Sequence, residues 1–426
     1  MLSNDSTRFR KACIFTTQKT LRENTCTIAS GDYSTPVSQR MSNEEPYSNE
    51  QVTCFVDLLK NELPEHRDNR GKRHPLAFVI TAFVLATLVG RPKLSSIHRF
   101  MRNRADWLHE LIQTPKVKPI SRAHLPRLLD GLNWPVLNEL IERCFGVRIQ
   151  SKESSEWVAI DGKALRGTLD AGDKQNLILA VVHDTREVVA QARQCGDKSS
   201  EIPVVRELLK DSGLDKQKVS LDAHHFNPTT TAQIHQAGGL YLTQVKENQA
   251  IFLQQCKIVH QQFLPLAETI GHEKEHGRVT TRDAHLFSLT SLTLDSRWKN
   301  SGLSTLIVVE RETFEIAKQK TSFETSYYVS NAVLESDVIK PLSEELTQAI
   351  RYHWGVESNN WIRDVTFNED RIKTKAGNQA QIMALLRGLA IELIRKTAPK
   401  NFQAALDNFA DSVSTLESML KQVKFL

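Results

Sequence analysis

At 426 residues the chain is too long for one ordinary core and suits two or three domains; 40% hydrophobic and 25% charged residues is globular composition, which excludes collagen-like or broadly disordered character. Six scattered cysteines (Cys13, Cys26, Cys54, Cys144, Cys195, Cys256) form no CxxC pair, which argues against a disulfide framework or a thiolate zinc site and fits a reducing cytoplasm. The net charge of +5 is unevenly placed: from His66 to Arg127, 13 Lys or Arg stand against three acids, a local excess of ten that leaves the remainder at −5. A basic part ahead of a more acidic one fits a DNA-gripping module followed by a carboxylate-based active site, and a solvated basic face is the alternative.

Residues 1–45 are rich in Ser, Thr and Asn without apolar periodicity, so a flexible segment is expected there. The start lacks the basic stretch followed by about 7–15 apolar residues that marks a secretory signal, so the chain is expected to stay in the cytoplasm. Residues 46–150 read as an all-α, basic domain: QVTCFVDLLKNEL, the apolar run Leu76 to Val89, SSIHRFMRNRADWLHELI and LPRLLDGLNWPVLNELIERCF. The Leu76–Val89 run is shorter than the roughly 20 residues that cross a hydrocarbon core, so it predicts a buried helix. From 151 to 426 the period changes. Short β-type runs WVAID, LILAVVHD and EVVAQAR come first, then a helix from Glu201, the strand VSLD, a helix near 228–237, the strand LYLTQVK and a helix near 249–262. Three adjacent strands followed by alternating helix and strand describe a mixed sheet of the RNase H-like kind. A β-rich insertion is expected at about 270–335 (AHLFSLTSLTL, STLIVVERE, TSYYVSN), and C-terminal helices from about 340. The fold class expected is α/β: an N-terminal all-α domain, then an RNase H-like mixed-sheet catalytic core with its insertion and terminal helices.

In this pattern Asp161 ends the first core strand and Asp222 the fourth, so neighbouring strands bring both carboxylates to one edge. Glu357, in the helical stretch SEELTQAIRYHWGVESNNWIRDV, returns after the insertion to complete a metal site. Clustered carboxylates suit hard, oxygen-seeking Mg²⁺, with Mn²⁺ as substitute, and two such ions roughly 3.5–4 Å apart support phosphoryl transfer.

Several blocks resemble the H-repeat-associated insertion-sequence transposases, whose catalytic domain carries an Asp-Asp-Glu triad. RGKRHPLAFVITAFVLATLVG is similar to the family's N-terminal associated domain, and VAIDGKALRGT to its first-Asp motif. EIPVVRELL, VSLDAHHFN and GGLYLTQVKENQ are similar to the second-Asp block, HGRVTTR to the insertion motif and RYHWGVESNNWIRDVTFNEDR to the Glu block. Sixty-one residues separate Asp161 from Asp222 and 135 separate Asp222 from Glu357, the second gap holding the insertion. The resemblance implies a Mg²⁺-dependent DNA transposase that cleaves and joins strands at terminal inverted repeats and in target DNA, assembled as a homodimer on its DNA ends. Where related transposases carry Tyr, Arg and Lys around the Glu, this chain has Ile350, His353 and Asp364.

Beside the triad, Lys163, Arg166, Lys246 and Asn248 are candidates for phosphate contacts, with surface solubility as the competing role. Arg278 and Arg282 of the insertion motif and Arg351, His353 and Trp354 of the Glu block complete the expected DNA contacts. Trp354 and Trp361 flank Glu357 on one helix face; Trp354 suits stacking on an unpaired base, whereas Trp361 reads as core. HEKEH at 272–276 fits the HExxH pattern, in which His272 and His276 would bind zinc with Glu273 as base, the signature of a zinc peptidase. Gly271 and Gly277 bracket it too closely for a helix. A domesticated, non-catalytic DNA-binding protein is the other alternative.

Overall fold

The computed structural model describes residues 54–69, 72–146, 156–171, 175–195, 201–275, 277–290, 292–374 and 376–426. The expected flexible segment 1–45 lies outside them. Among the described residues six helices come first: α1 (Phe55–Asn61), α2 (Leu76–Leu88), α3 (Leu94–Asn103), α4 (Ala105–Ile112), α5 (His124–Asp130) and α6 (Trp134–Phe145). Every residue of α2 is buried, as a helix apolar on all sides must be. It sits in one core with α1, α5 and α6 and with three later helices, α12 (Gly377–Arg395), α13 (Phe402–Asp411) and α14 (Val413–Gln422). The opening helices thus share their core with the C-terminal ones, and among the described residues no helix is long and apolar enough to cross a membrane.

Nine strands form one sheet in the order β3-β2-β1-β4-β5-β9-β8-β7-β6. β1 (Trp157–Ala164), β2 (Gln175–Val182) and β3 (Val188–Cys195) are antiparallel; β4 (Lys218–Leu221) and β5 (Leu240–Val245) lie parallel to β1. The expected insertion is β6 (Ala267–Glu275), β7 (Arg278–Ser288), β8 (Thr305–Glu315) and β9 (Lys320–Ser330), and it extends the same sheet because β9 pairs with β5. One face, with Val158, Ile160, Val219 and Tyr241, packs on α7 (Glu201–Asp211), α8 (Pro228–Gln236) and α9 (Ala250–Gln262). The other face meets α10 (Ile339–His353) through Trp157 and Leu242, and α11 (Gly355–Trp361) and α12 through Ala159, Leu177 and Leu179.

The HExxH pattern falls in the expected insertion, and one element departs from expectation. The HEKEH segment belongs to strand β6 as far as Glu275, an edge strand exposed along most of both faces, so it carries no apolar alternation to announce it. The stretch read as one helix around Glu357 is broken at Trp354 into α10 and α11.

Candidate active site

The parallel register of β1 on β4 ends at Ile160 opposite Leu221, so the next residues out, Asp161 and Asp222, stand side by side on neighbouring strands. Such strands lie about 4.8 Å apart. Asp161 does not end its strand, as expected, but lies inside it: β1 outruns the short β4 and continues paired to β2 alone, Asp161 opposite Leu179. Strand alternation sends Asp161, with Ala159, to the face covered by α11 and α12. Glu357 projects from the first turn of α11, and all three acids line one cavity of about 270 Å³ with Ser220, Lys246, His353 and Trp354.

Charge in this cavity is unbalanced. Burial first, then the charges of Asp222 and Glu201, push the Asp161 carboxyl up to about 6. Glu357 is also raised, by burial and by Asp222. Lys246 Nζ lies 4.0 Å from Asp222 Oδ1, and burial drives His353 down to about 4, so its imidazole is neutral at pH 7. Three acids against one lysine is an arrangement that a cation relieves. Among the described residues no three His, Cys, Asp or Glu side chains are gathered tightly enough to cage one ion. Carboxylate donors are nevertheless the kind that hard divalent ions take while keeping positions for phosphate and water.

The backbone around these acids is fixed by contacts from distant segments. A Cβ at Gly162 would meet the Glu201 carboxylate at 2.6 Å, so a larger residue after Asp161 would have to push that carboxylate aside. His225 Nε2 donates to Glu201 Oε1 at 3.0 Å, tying the turn after Asp222 to α7, and Asn248 Nδ2 donates to Ala223 O at 2.7 Å in the same turn. Above them Ser220 Oγ bridges His183 Nε2 and His353 Nδ1, each at 2.8 Å, and so joins the end of β2, β4 and the end of α10. The helix break before Glu357 is explained by Arg186: its Nη1 donates to Tyr352 O at 3.0 Å, its guanidinium lies 5.5 Å from the centre of the Tyr352 ring, and any Cβ at Gly355 would run into it.

Of the residues expected on DNA, Lys246, His353 and Trp354 line the cavity. Lys163 is buried two residues along the same face as Asp161, with Nζ 2.5 Å from Asp364 Oδ1 and 3.5 Å from Asp370 Oδ1. Arg166 is exposed and reaches Asp370 Oδ2 at 3.4 Å. Arg278 pairs with Glu315 at 3.2 Å, and Arg282 and Arg351 both pair with Glu273. Glu273 is thereby engaged, and His272 Nδ1 lies 3.2 Å from Thr281 Oγ1; β6 has no helical turn to bring two histidines to one zinc, and His276 lies outside the described residues. Trp361 corrects an expectation: it is 60% exposed, with Trp354 at 55%, so residues 354, 357, 358 and 361 form one outward stripe of α11. Sequence reasoning also missed Asn360, whose Nδ2 donates to Asp161 Oδ2 at 3.3 Å while its buried Oδ1 has no partner. Its signal is the three-residue step from Glu357 on the same helix.

A mixed RNase H-like sheet with paired aspartates on parallel strands, under a helix bearing a glutamate, defines the class of enzymes that move phosphodiester bonds at a carboxylate centre. Residues 153–393 match the family model described as Transposase DDE domain, and residues 59–145 match the one described as DDE_Tnp_1-associated. The chain belongs to the DDE transposase family. It is 27% identical over 363 residues to "Putative transposase YncI" of Escherichia coli O157:H7, covering 81% of this chain and 88% of that protein. It is 26% identical over 360 residues to "H repeat-associated putative transposase YhhI" of Escherichia coli strain K12, covering 81% and 90%.

Proposed function

We propose that the protein is a cytoplasmic, Mg²⁺-dependent transposase that cleaves the ends of an insertion sequence and transfers the freed strand into target DNA, with Asp161, Asp222 and Glu357 as its catalytic and metal-holding residues. The observation that carries this reading is the adjacency of Asp161 and Asp222 beyond the last β1–β4 register pair, in one cavity with Glu357. Bound there, divalent ions would supply Lewis-acid activation of the attacking oxygen and stabilise the leaving one. The chain's own groups do the rest. Asn360 orients the Asp161 carboxylate by donating to Oδ2, and the backbone N–H of residue 223 donates to Asp222 Oδ1 at 2.6 Å. Lys246, exposed beside Asp222, would neutralise a phosphate of the strand being cut, and exposed Arg166, paired to Asp370 outside that cavity, would add a further phosphate contact. Trp354 and Trp361 offer flat apolar faces on either side of Glu357, suited to holding an unstacked base at the cleaved end. The basic helical part before residue 150 recognises the terminal inverted repeats, the part from 151 onward cuts, and two copies assemble on a pair of DNA ends.

Incubation of end-labelled candidate terminal repeats and a supercoiled target with Mg²⁺ tests this. The native protein should yield nicked ends and strand-transfer products, and Asp161→Ala neither. DNA binding without Asp161-dependent nicking would instead describe a DNA-binding protein without the chemistry.

A further inference from the structure

A second cavity, of about 380 Å³, opens between α3 and α4 on one side and α13 and α14 on the other. That is within the range of roughly 300–1,000 Å³ typical of ligand sites. Its charged lining is one-signed: Arg91, Arg99 and Arg104 contribute to it, and no acid does. None of the three guanidinium groups has an ion-pair or hydrogen-bond partner among the described residues, although most arginines of the catalytic part are paired to acids. On α3, Ser96, Arg99, Phe100 and Asn103 follow the i, i+3, i+4, i+7 rule of a single helix face. That face borders the cavity, while Ile97 and Met101 of the same helix are buried in the core. Phe100 stands edge-on to Trp107 with centroids 6.3 Å apart, and Trp107 is held by its Nε1 donating to Glu417 Oε1 at 2.7 Å. The opposite wall is apolar, from Phe409, Val413 and Leu416.

Free guanidinium groups recognise phosphate, and a fixed aromatic pair beside an apolar wall takes the flat face of a base. The volume admits one nucleotide and is far too small for a stacked base pair with both backbones. We propose that this cavity is a second DNA-binding site, distant in sequence from the triad, which holds one unpaired nucleotide of the DNA end, with Arg99 and Arg104 on its phosphate and Phe100 and Trp107 against its base. The inference rests on the reading of the chain as a transposase and adds a specific ligand site to its helical part.

The test uses the full chain and a short duplex bearing one unpaired 3′ nucleotide, compared with the blunt duplex of the same sequence. Wild type should bind the first more tightly. Arg99→Gln with Arg104→Gln should abolish that preference and lower the slope of log affinity against log salt by about one, for the one phosphate no longer neutralised. Phe100→Leu, which keeps the helix apolar, should weaken the unpaired form about tenfold and leave the blunt one unchanged. An equal drop in affinity for both duplexes, or native affinity in the arginine variant, would overturn the proposal. So would equally tight binding of a free deoxynucleoside monophosphate, which would mark a metabolite site. Failure of the transposase reading is seen separately, as Mg²⁺-dependent nicking that survives Asp161→Ala.

Discussion

Replacing Asp161 by Asn removes a carboxylate whose ionised form the fold disfavours. Burial and the neighbouring Asp222 and Glu201 charges move its pKa from 3.8 to about 6. Two units at 1.36 kcal/mol each set an upper bound of about 3 kcal/mol on the cost of keeping it ionised at neutral pH. Asp161 retains some contact with solvent, which reduces the cost to about 1–2 kcal/mol. Because the folded value lies above the unfolded one, this cost is fully present above about pH 6 and disappears below about pH 4. An asparagine side chain at this position would keep the volume and accept the Asn360 N–H bond without the charge. In EDTA at neutral pH, Asp161→Asn should therefore melt a few degrees higher than the native protein, with the advantage shrinking to nothing as the pH falls towards 4. In Mg²⁺ the order should reverse or close, since only the native protein gains binding energy from the ion. Differential scanning fluorimetry over that pH range, with and without Mg²⁺, measures both effects. A variant less stable than native in EDTA, or one that gains as much from Mg²⁺ as the native protein does, would refute the argument.

Lys163→Met should destabilise the fold by about 2–4 kcal/mol, because it strands Asp364 and leaves Asp370 with Arg166 alone in a half-buried setting, and should leave the salt dependence of DNA binding unchanged; chemical denaturation and binding titrations separate this from a phosphate-contact role. Gly355→Ala must displace Arg186 or reset the α10–α11 break, and should lower nicking far more than DNA affinity, since Glu357 lies two residues on; equal reduction of both would point to general unfolding instead. Removing basic charge at Lys116, Lys118 and Arg122 should flatten the salt dependence of terminal-repeat binding, as read in a salt series. Substitution is the right tool there, because deleting the opening helices would strip the core they share with α12, α13 and α14.

The interior strands are legible in the sequence because β1, β2, β4 and β5 are covered on both faces and read as apolar runs, those of β1 and β4 leading up to Asp161 and Asp222. Edge strand β6 is not, since its exposed residues alternate nothing. The break before Glu357 leaves no local mark because Gly355 is tolerable within a helix; its cause, Arg186, lies in the β2–β3 turn, far back along the chain. Lys163 resembles a phosphate contact because it follows Asp161 on the same strand face, yet its partners Asp364 and Asp370 arrive some 200 residues later. Trp361 reads as core on hydrophobicity alone, yet it shares an exposed stripe with Glu357. Other acids near Glu357 have different work: Glu369 is buried, with Oε1 3.4 Å from Arg363 and 3.0 Å from Arg387, and Asp370 neighbours Lys163 and Arg166.

If the protein is a transposase of this kind, Asp161, Asp222 and Glu357 act as one unit. The most direct measurement is the rate of Mg²⁺-dependent nicking of a terminal-repeat substrate by Asp161→Asn, Asp222→Asn and Glu357→Gln, alone and in pairs, with DNA affinity checked for each. Groups that act together fail together. Each single substitution should reduce nicking to background at near-native affinity, and no pair should fall lower. A Glu357→Gln protein that nicks at the native rate, or rate reductions that multiply from singles to pairs, would contradict that unity.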